Sequence, residues 1–577
     1  MVDARLLYKP TFHVYADSNQ IRVSRDECEQ LLIIQKDSGQ VKIEPAAVIP
    51  KGKAIDCFGL LGVATMRTCN YLMLIREASF VGLLRNCRLF RIEEVTFLPY
   101  SLQQDQDLVE LYQKVVASKS LYFSYDYDIT HSMQRIALFT DEQKRQPLWQ
   151  RAHPSYFWNN SISDPFIQIG AHHFVLPVIQ GYVQVQSASF DNNDIEYALI
   201  SRRDHRRAGR RFFTRGLDSH GNSANFVETE QVLTYKMSGK SIVNSFVQVR
   251  GSIPLIWSQK PTLAYMPKGK VEASFASNLE VCKMHVKQLK AEYGDLTFVN
   301  LVDKKGNQLF IGEAFSKVVA DLKDDCVKYE WFDFHAECKG MKYDRLGKLL
   351  QSLQQPLEHY SYFTGALDLS GEWADPSQMQ RQVGIFRTNC MDSLDRTNVV
   401  QSVFARRALL SQLAGLRLIR TVTNEPFQRL PDTLEAVFRE FWVSNANELS
   451  KTYAGTRAQK TDFTRVGKRT YYGMLDDGAN AVQRYVINNF YDSRYKDSYD
   501  LFLGNLSPAE VPLQPRIGGL SLLLGGASAM ILSLYSLSYS SMDSWKYWVL
   551  VAVCCDVCYR LMKAYGGRFV SRPILDN

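Results

Sequence analysis

The sequence contains no low-complexity run, no internal repeat and no cysteine spacing of the kind that frames a small disulfide-rich domain. Its 11 cysteines are scattered, from Cys28 and Cys57 through Cys390 to Cys554, Cys555 and Cys558. An odd, unpatterned set argues against an oxidised secreted module. An apolar leader is also missing: Met1-Val-Asp-Ala-Arg5 is polar and no apolar stretch follows it. The bulk of the chain is therefore expected in a reducing cytosol. Zinc-type pairing is absent too. His172-His173 and His335-x-x-Cys338 have no second cysteine or histidine pair at the required spacing, so packing is their expected role. Lys51-Gly-Lys53, with Gly59 and Gly62 beyond it, is not set between a strand and a helix as a nucleotide-binding loop would be.

What is present is length and apolar content. At 577 residues with 46% hydrophobic side chains, the chain is expected to form two or three folding units. The net charge of +8 has the sign that suits an anionic partner. Residues 1–180 read as strand-rich, with Gln40–Glu44 and Tyr71–Ile75 as strands and a helical patch over Leu102–Ser118. Residues 181–490 read as mixed α/β, with helices at Asn278–Tyr293, Tyr343–Leu353, Asn398–Ala414 and Pro431–Ser450. The polar and aromatic stretch 491–515 reads as a stalk, spanning on the order of 25–30 Å as a flexible linker.

Residues 516–565 carry two hydrophobic segments, about 517–539 and 545–562. From Ile517 to Met542 there is no charged residue, and about 20 apolar residues suffice to cross a bilayer as a helix. The second segment is shorter and contains Asp556, which costs about 2.5–3.5 kcal/mol at mid-bilayer, softened by Arg560 one turn away. Arg516, Arg560, Lys563 and Arg568 flank the two segments on one side. That asymmetry predicts a transmembrane hairpin with the catalytic portion and the C-terminus cytosolic. The alternative is one span followed by an interfacial helix.

The chemically informative stretch is Val383-Gly-Ile-Phe-Arg-Thr-Asn-Cys390-Met-Asp-Ser-Leu-Asp-Arg396-Thr-Asn398. Val383–Phe386 is short, apolar and β-prone, while Val399, Val403, Phe404, Leu410 and Leu413 recur at helical spacing. A cysteine and an arginine, with five residues between them, thus fall on a loop between a strand and a helix N-terminus. Amide groups at a helix start cradle phosphate oxygens, and the same field with an arginine favours thiolate over thiol. Cys390 is then a nucleophile able to form a phosphoenzyme, and Arg396 a planar fork for the phosphate. Thr397 is positioned to bond the sulfur as it departs. Asp392 is expected to be acid and then base, its pKa raised by the near-anionic site, and Asp395 to orient Arg396. No cofactor or metal is required. Such a pair also meets by chance in long chains, as a buried thiol beside a surface ion pair. The strand before it, the helix after it and the acids within the loop set this one apart.

Arg387–Asn398 resembles the signature of the Sac-domain (suppressor-of-actin) phosphoinositide phosphatases. Arg207-Ala-Gly-Arg-Arg211, Arg215-Gly-Leu-Asp218, Ala224–Glu230, Arg250–Gln259, Tyr329–His335 and Lys342–Arg345 are similar to further stretches of that family. The resemblance implies a cysteine-phosphatase α/β domain with a non-catalytic N-terminal subdomain packed against it. It places the nucleophile on Cys390, the phosphate-binding arginine on Arg396 and the loop acids on Asp392 and Asp395. Arg387, Thr397 and Asp395 are taken as substrate-binding. It also implies a membrane-embedded phosphoinositide substrate, with phosphatidylinositol 4-phosphate favoured and the 3-phosphate plausible, and residence in endoplasmic-reticulum and Golgi membranes. A phosphotyrosine phosphatase and a non-catalytic phosphoinositide tether are the rival readings. Seven arginines between Arg202 and Arg215 are expected to present an electropositive face to an anionic membrane surface, with structural ion pairs as the competing use. Two aromatics, Phe212 and Phe213, make a poor stacking platform, so no nucleic-acid partner is expected.

Overall fold

The computed structural model describes residues 9–46, 53–101, 105–190, 193–237, 239–459, 471–512 and 570–575, with positions 461, 556 and 560. Apart from Asp556 and Arg560, the two candidate membrane segments lie outside the described residues. Among the described residues no helix is long and apolar enough to cross a membrane.

Alternating apolar and polar residues build a small antiparallel sheet first. Its strands β1 (Phe12–Ala16), β2 (Gln20–Arg25), β3 (Gln30–Gln35), β4 (Val41–Pro45) and β5 (Ile55–Cys57) run in the order β4-β3-β2-β1-β5. Val14, Ile21, Val23, Leu32 and Ile34 are fully buried on its inner face, as a period of two requires.

The main sheet follows. Its strands are β6 (Gly59–Ala64), β7 (Tyr71–Leu84), β8 (Cys87–Pro99), β9 (Leu121–Ser124), β10 (Ile179–Phe190), β11 (Asn193–Arg203), β12 (Val227–Met237) and β13 (Lys240–Arg250). A minor hairpin, β14 (Trp257–Ser258) with β15 (Lys270–Val271), precedes β16 (Asp295–Asn300), β17 (Val327–Trp331), β18 (Phe363–Leu367) and β19 (Gly384–Asn389). The order is β17-β16-β19-β13-β12-β11-β10-β9-β8-β7-β6, with β18 pairing the first half of β13. Pairing is antiparallel from β6 to β13, while β17, β16, β19 and the end of β13 are parallel. The division expected near residue 180 falls at the start of β10, where Ile179 pairs with Tyr122 and the sheet passes through unbroken.

The expected helices are present as Gln106–Val116, Phe275–Tyr293, Leu346–Ser352, Asp395–Gly415 and Asp432–Ala454. The Asp395–Gly415 helix is buried nearly all round, between the sheet and Asp432–Ala454. Long-range partners reach some of its polar groups. The Gln248 and Gln231 side chains donate to Gln401 O and Ala405 O at 2.9 Å each, and Arg406 meets Glu435 bidentately at 2.6 and 3.0 Å.

Two expectations are corrected. The first part of the 491–515 stalk is a helix, Asp492–Phe502, docked into the N-terminal core. Tyr499, Leu501 and Phe502 pack with Leu108, Leu111 and Tyr112, and Asp492 lies 2.6 Å from the buried Arg210. Its Asp, Ser and Tyr content suggested a linker, but long-range partners satisfy the polar groups. The electropositive face is also absent. Arg202 pairs with Glu228 and Glu230 at 3.0 and 2.8 Å, Arg203 donates to Gln180 and Gly209 O, and both arginines are fully buried. Of the seven arginines only Arg206 is exposed, and it pairs with Asp204 at 2.6 Å. These side chains form an internal scaffold, the use that was the competing expectation.

Candidate active site

β16 and β19 run parallel and end together, Asn300 opposite Asn389, so the following segments gather at their carboxyl ends. That is where open α/β sheets bind ligands. β19 leads directly into the loop Cys390–Leu394 and then into the Asp395–Gly415 helix. Asn389 O accepts from Leu301 N at 2.8 Å, and its side-chain amide donates to Asn300 at 2.7 Å. Ser393 adopts a left-handed φ of 53°, which turns the chain sharply, and its hydroxyl donates to Gly251 O at 2.5 Å. Gly251 permits this approach, since a Cβ there would meet Ser223 Oγ at 2.7 Å and Arg387 Nη2 at 2.9 Å. The expected strand, cysteine loop and helix start are thus all present.

The loop floors a cleft of about 240 Å³ lined by Cys390, Asp392, Asp395 and Arg396. Across from them stand Arg211, Gln308, His335 and Arg484. Cys390 is 3% exposed at its base. Arg396 lines the same cleft, with its guanidinium held by three acceptors: Leu301 O at 2.9 Å, Asp303 Oδ1 at 3.2 Å and Gln308 Oε1 at 3.1 Å. Asp303 and Gln308, not Asp395, therefore orient Arg396. Asp395 accepts instead from Gln459 N at 2.8 Å and faces Arg484 at 3.7 Å.

Asp392 differs most from expectation. Arg211 Nη2 lies 2.8 Å from its Oδ2 and Arg215 Nη2 lies 2.6 Å from its Oδ1. Burial pushes the carboxyl up, but the two guanidinium charges and their hydrogen bonds prevail and hold it well below the usual carboxylate range. A carboxylate so fixed is a poor proton donor. Its observed role is to clamp the loop, helped by Arg215 donating to Met391 O at 2.9 Å.

Two expected substrate-binding residues are not in the cleft. Arg387 is fully buried and donates to Gly251 O, Ser252 O and Ser223 Oγ beneath the loop, and burial pushes its guanidinium down to about 9. Strand alternation sends it away from the face that Cys390 closes. Thr397 is fully buried, and its hydroxyl has no hydrogen-bond partner among the described residues, the Cys390 sulfur included.

The sequence reading missed Arg211, Arg215, Asp303, Gln308, Arg484 and Arg250 as parts of the site. Arg250 ends β13 in register with Thr388 and is buried under the loop, donating to Asn398 Oδ1 at 3.2 Å. Burial pushes it down to about 9, and the nearby Cys390 sulfur and Asp395 pull it back up. Arg211 and Arg215 fall in the arginine-rich stretch and Arg250 opens the Arg250–Gln259 stretch, whereas Asp303, Gln308 and Arg484 lie in no stretch that the sequence singled out.

The SacI homology domain model matches residues 58–339. The chain is 36% identical to Phosphatidylinositol-3-phosphatase SAC1-B of Danio rerio over 504 residues, covering 85% of this chain and 82% of that protein. It is 34% identical to Phosphatidylinositol-3-phosphatase SAC1 of Saccharomyces cerevisiae over 497 residues, covering 82% and 77%. The chain belongs to the Sac family. Phosphoinositide phosphatase SAC7 of Arabidopsis thaliana, 32% identical, is matched over 97% of this chain and 94% of its own. The Sac domain model ends before the cysteine loop, but these Sac relatives are matched over more than four-fifths of the chain.

The clamp on Asp392 has a pH signature. Its folded-state pKa lies below the unfolded value of about 3.9, so its stabilisation is complete above that value and is lost as the pH falls. The stability advantage of the natural chain over Asp392→Asn should be constant between about pH 6 and pH 8 and shrink below about pH 4. Urea unfolding at each pH measures this. An advantage that widens on acidification contradicts the clamp.

Proposed function

We propose that the protein removes the monoester phosphate from phosphatidylinositol monophosphates through a phosphocysteine on Cys390. Phosphatidylinositol 4-phosphate is the favoured substrate and the 3-phosphate a second. The observation that carries this reading is a Sac-family chain with its cysteine at the base of a polar cleft, on the loop that opens a helix. In this reading the Cys390 sulfur attacks phosphorus as a thiolate. Arg396 stabilises the equatorial oxygens as charge develops on them. The names of the Danio rerio and Saccharomyces cerevisiae relatives support a 3-phosphate substrate. The preference for the 4-phosphate rests on the resemblance of the whole chain to the family's endoplasmic-reticulum and Golgi branch.

A lipid substrate is favoured over phosphotyrosine by the cleft's rim, where Tyr265 and Met266 are 68% and 50% exposed. Apolar side chains beside a polar headgroup site suit a bilayer interface. Phosphate release from vesicles containing either phosphatidylinositol monophosphate should far exceed release from a phosphotyrosine peptide. Cys390→Ser should abolish turnover while vesicle binding persists. Equal rates on the peptide, or vesicle binding without any hydrolysis by the natural chain, would favour the phosphatase or tether rivals respectively.

The segments about 517–539 and 545–562 are further proposed to form a transmembrane hairpin in endoplasmic-reticulum and Golgi membranes, with the catalytic portion cytosolic. Support comes from both ends of this region. Val511 O accepts from Arg67 at 2.7 Å, while beyond it Ser571 N donates to Asn489 O and Ile574 N to Asp497 at 3.0 and 2.8 Å. Both ends dock on one body, so any membrane passages between them must be even in number. In sealed microsomes, added protease should remove a C-terminal tag together with the catalytic portion. A protected tag beside a digested catalytic portion excludes the hairpin.

A further inference from the structure

Breaking the inositol–phosphate bond leaves an alkoxide that needs a proton, and later hydrolysis of a phosphocysteine needs a water to lose one. The loop acid expected to do both, Asp392, is held ionised by Arg211 and Arg215. Asp395 is engaged with the Gln459 amide. Among the described side chains that line the cleft with Cys390 and Arg396, one imidazole has the required chemistry: His335.

His335 lies on the short helix Phe334–Glu337 that follows β17. Its Nδ1 is 2.9 Å from Asp303 Oδ1, the same carboxylate oxygen that sits 3.2 Å from Arg396 Nη1. Burial raises the Asp303 carboxyl, but His335 and Arg396 prevail and hold it below its ordinary value. Asp303 is therefore a standing acceptor for the ring. With Nδ1 engaged, Nε2 is the nitrogen left for the cleft, and the ring is 49% exposed. The pair is braced by Asp333, whose Oδ1 accepts from Ala336 N at 3.0 Å and whose Oδ2 accepts from Lys304 N at 2.9 Å. One carboxylate thus ties the turn bearing His335 to the residue beside Asp303, which fixes the ring before substrate arrives.

We propose that His335 is the acid–base residue of the reaction and Asp303 its positioning residue; this rests on the phosphocysteine reading above. In the first step the Cys390 thiolate forms an S–P bond, the P–O bond to inositol breaks, and the Nε2 proton passes to the leaving oxygen. In the second, neutral Nε2 takes a proton from water. The water oxygen bonds to phosphorus, the S–P bond breaks, and inorganic phosphate and the thiolate are released. Arg396 and His335 share Asp303, so the group that binds the phosphate and the group that moves the proton are set by one carboxylate.

The test compares two leaving groups on the full chain. His335→Gln should lower turnover of phosphatidylinositol monophosphate vesicles by about 10²-fold or more. With p-nitrophenyl phosphate, whose leaving group needs no proton, the pre-steady-state burst of nitrophenol should keep its natural rate while the slower steady phase falls. His335→Asn, which retains a donor near the Nδ1 position, should show the same split. A burst that slows as much as lipid turnover in both variants, or lipid turnover that does not fall, overturns the assignment. Cys390→Ser separates the two readings: it should abolish both activities. If it retains either, the phosphocysteine reading has failed, whatever His335 does.

Discussion

The site depends on the contact between Asp392 and two arginines, Arg211 and Arg215. Arg215 is fully buried, flanked by Trp257 with its guanidinium 5.1 Å from the ring centroid, and it also holds Met391 O and Gln259 Oε1. A buried guanidinium without its carboxylate leaves an uncompensated charge that costs about 3–5 kcal/mol. The loop therefore has a strong reason to keep Asp392 turned toward the arginine-rich segment. With Asp392 held there, Ser393 takes its left-handed turn onto Gly251 O, and the chain enters the Asp395–Gly415 helix in the direction that puts Cys390 at the base of the cleft. The same contact withdraws Asp392 from proton transfer, so loop rigidity and acid–base chemistry are assigned to different side chains.

The sheet explains how distant segments reach one point. β16, β19 and the end of β13 are parallel neighbours, so the residues after each strand emerge on the same edge. After β16 come Asp303 and Gln308, after β19 comes Cys390, and Arg250 closes β13 itself. The neighbouring β17 delivers His335 in the same way. The late helix Tyr471–Phe490 brings Arg484 to the open side, where Arg484 donates to Thr456 and Arg457 O and faces Asp395. The following helix, Asp492–Phe502, packs on the N-terminal core through Tyr499, Leu501 and Phe502 and pairs through Asp492 with Arg210 of the arginine-rich segment, which couples that segment to the strand-rich portion.

What the sequence disclosed was local. Val383–Phe386 and the helical spacing from Val399 to Leu413 led to a strand, loop and helix, and the structure has them as β19 and Asp395–Gly415 with Cys390 between. The alternation around Gln40–Glu44 and the apolar run Tyr71–Ile75 likewise became β4 and β7. What stayed hidden depends on pairing across the chain. Asp392 and Arg211 are 181 residues apart, and Arg210 and Asp492 are 282 apart, so no window reveals that the arginine-rich stretch is an internal scaffold. Adjacency misled in the opposite sense at Arg387 and Thr397, where strand alternation and helix packing turn both residues away from the cleft. His335 looked like a packing residue because its partner Asp303 lies on another strand's exit.

The central claim is that phosphate passes through Cys390. Rapid acid quenching of the full chain turning over vesicles of phosphatidylinositol monophosphate carrying radioactive phosphate on the ring tests it most directly. The account predicts acid-stable label on the peptide containing Cys390, appearing before inorganic phosphate and absent from Cys390→Ser. Full-rate release of inorganic phosphate with no label on any cysteine peptide, or by Cys390→Ser, would contradict it.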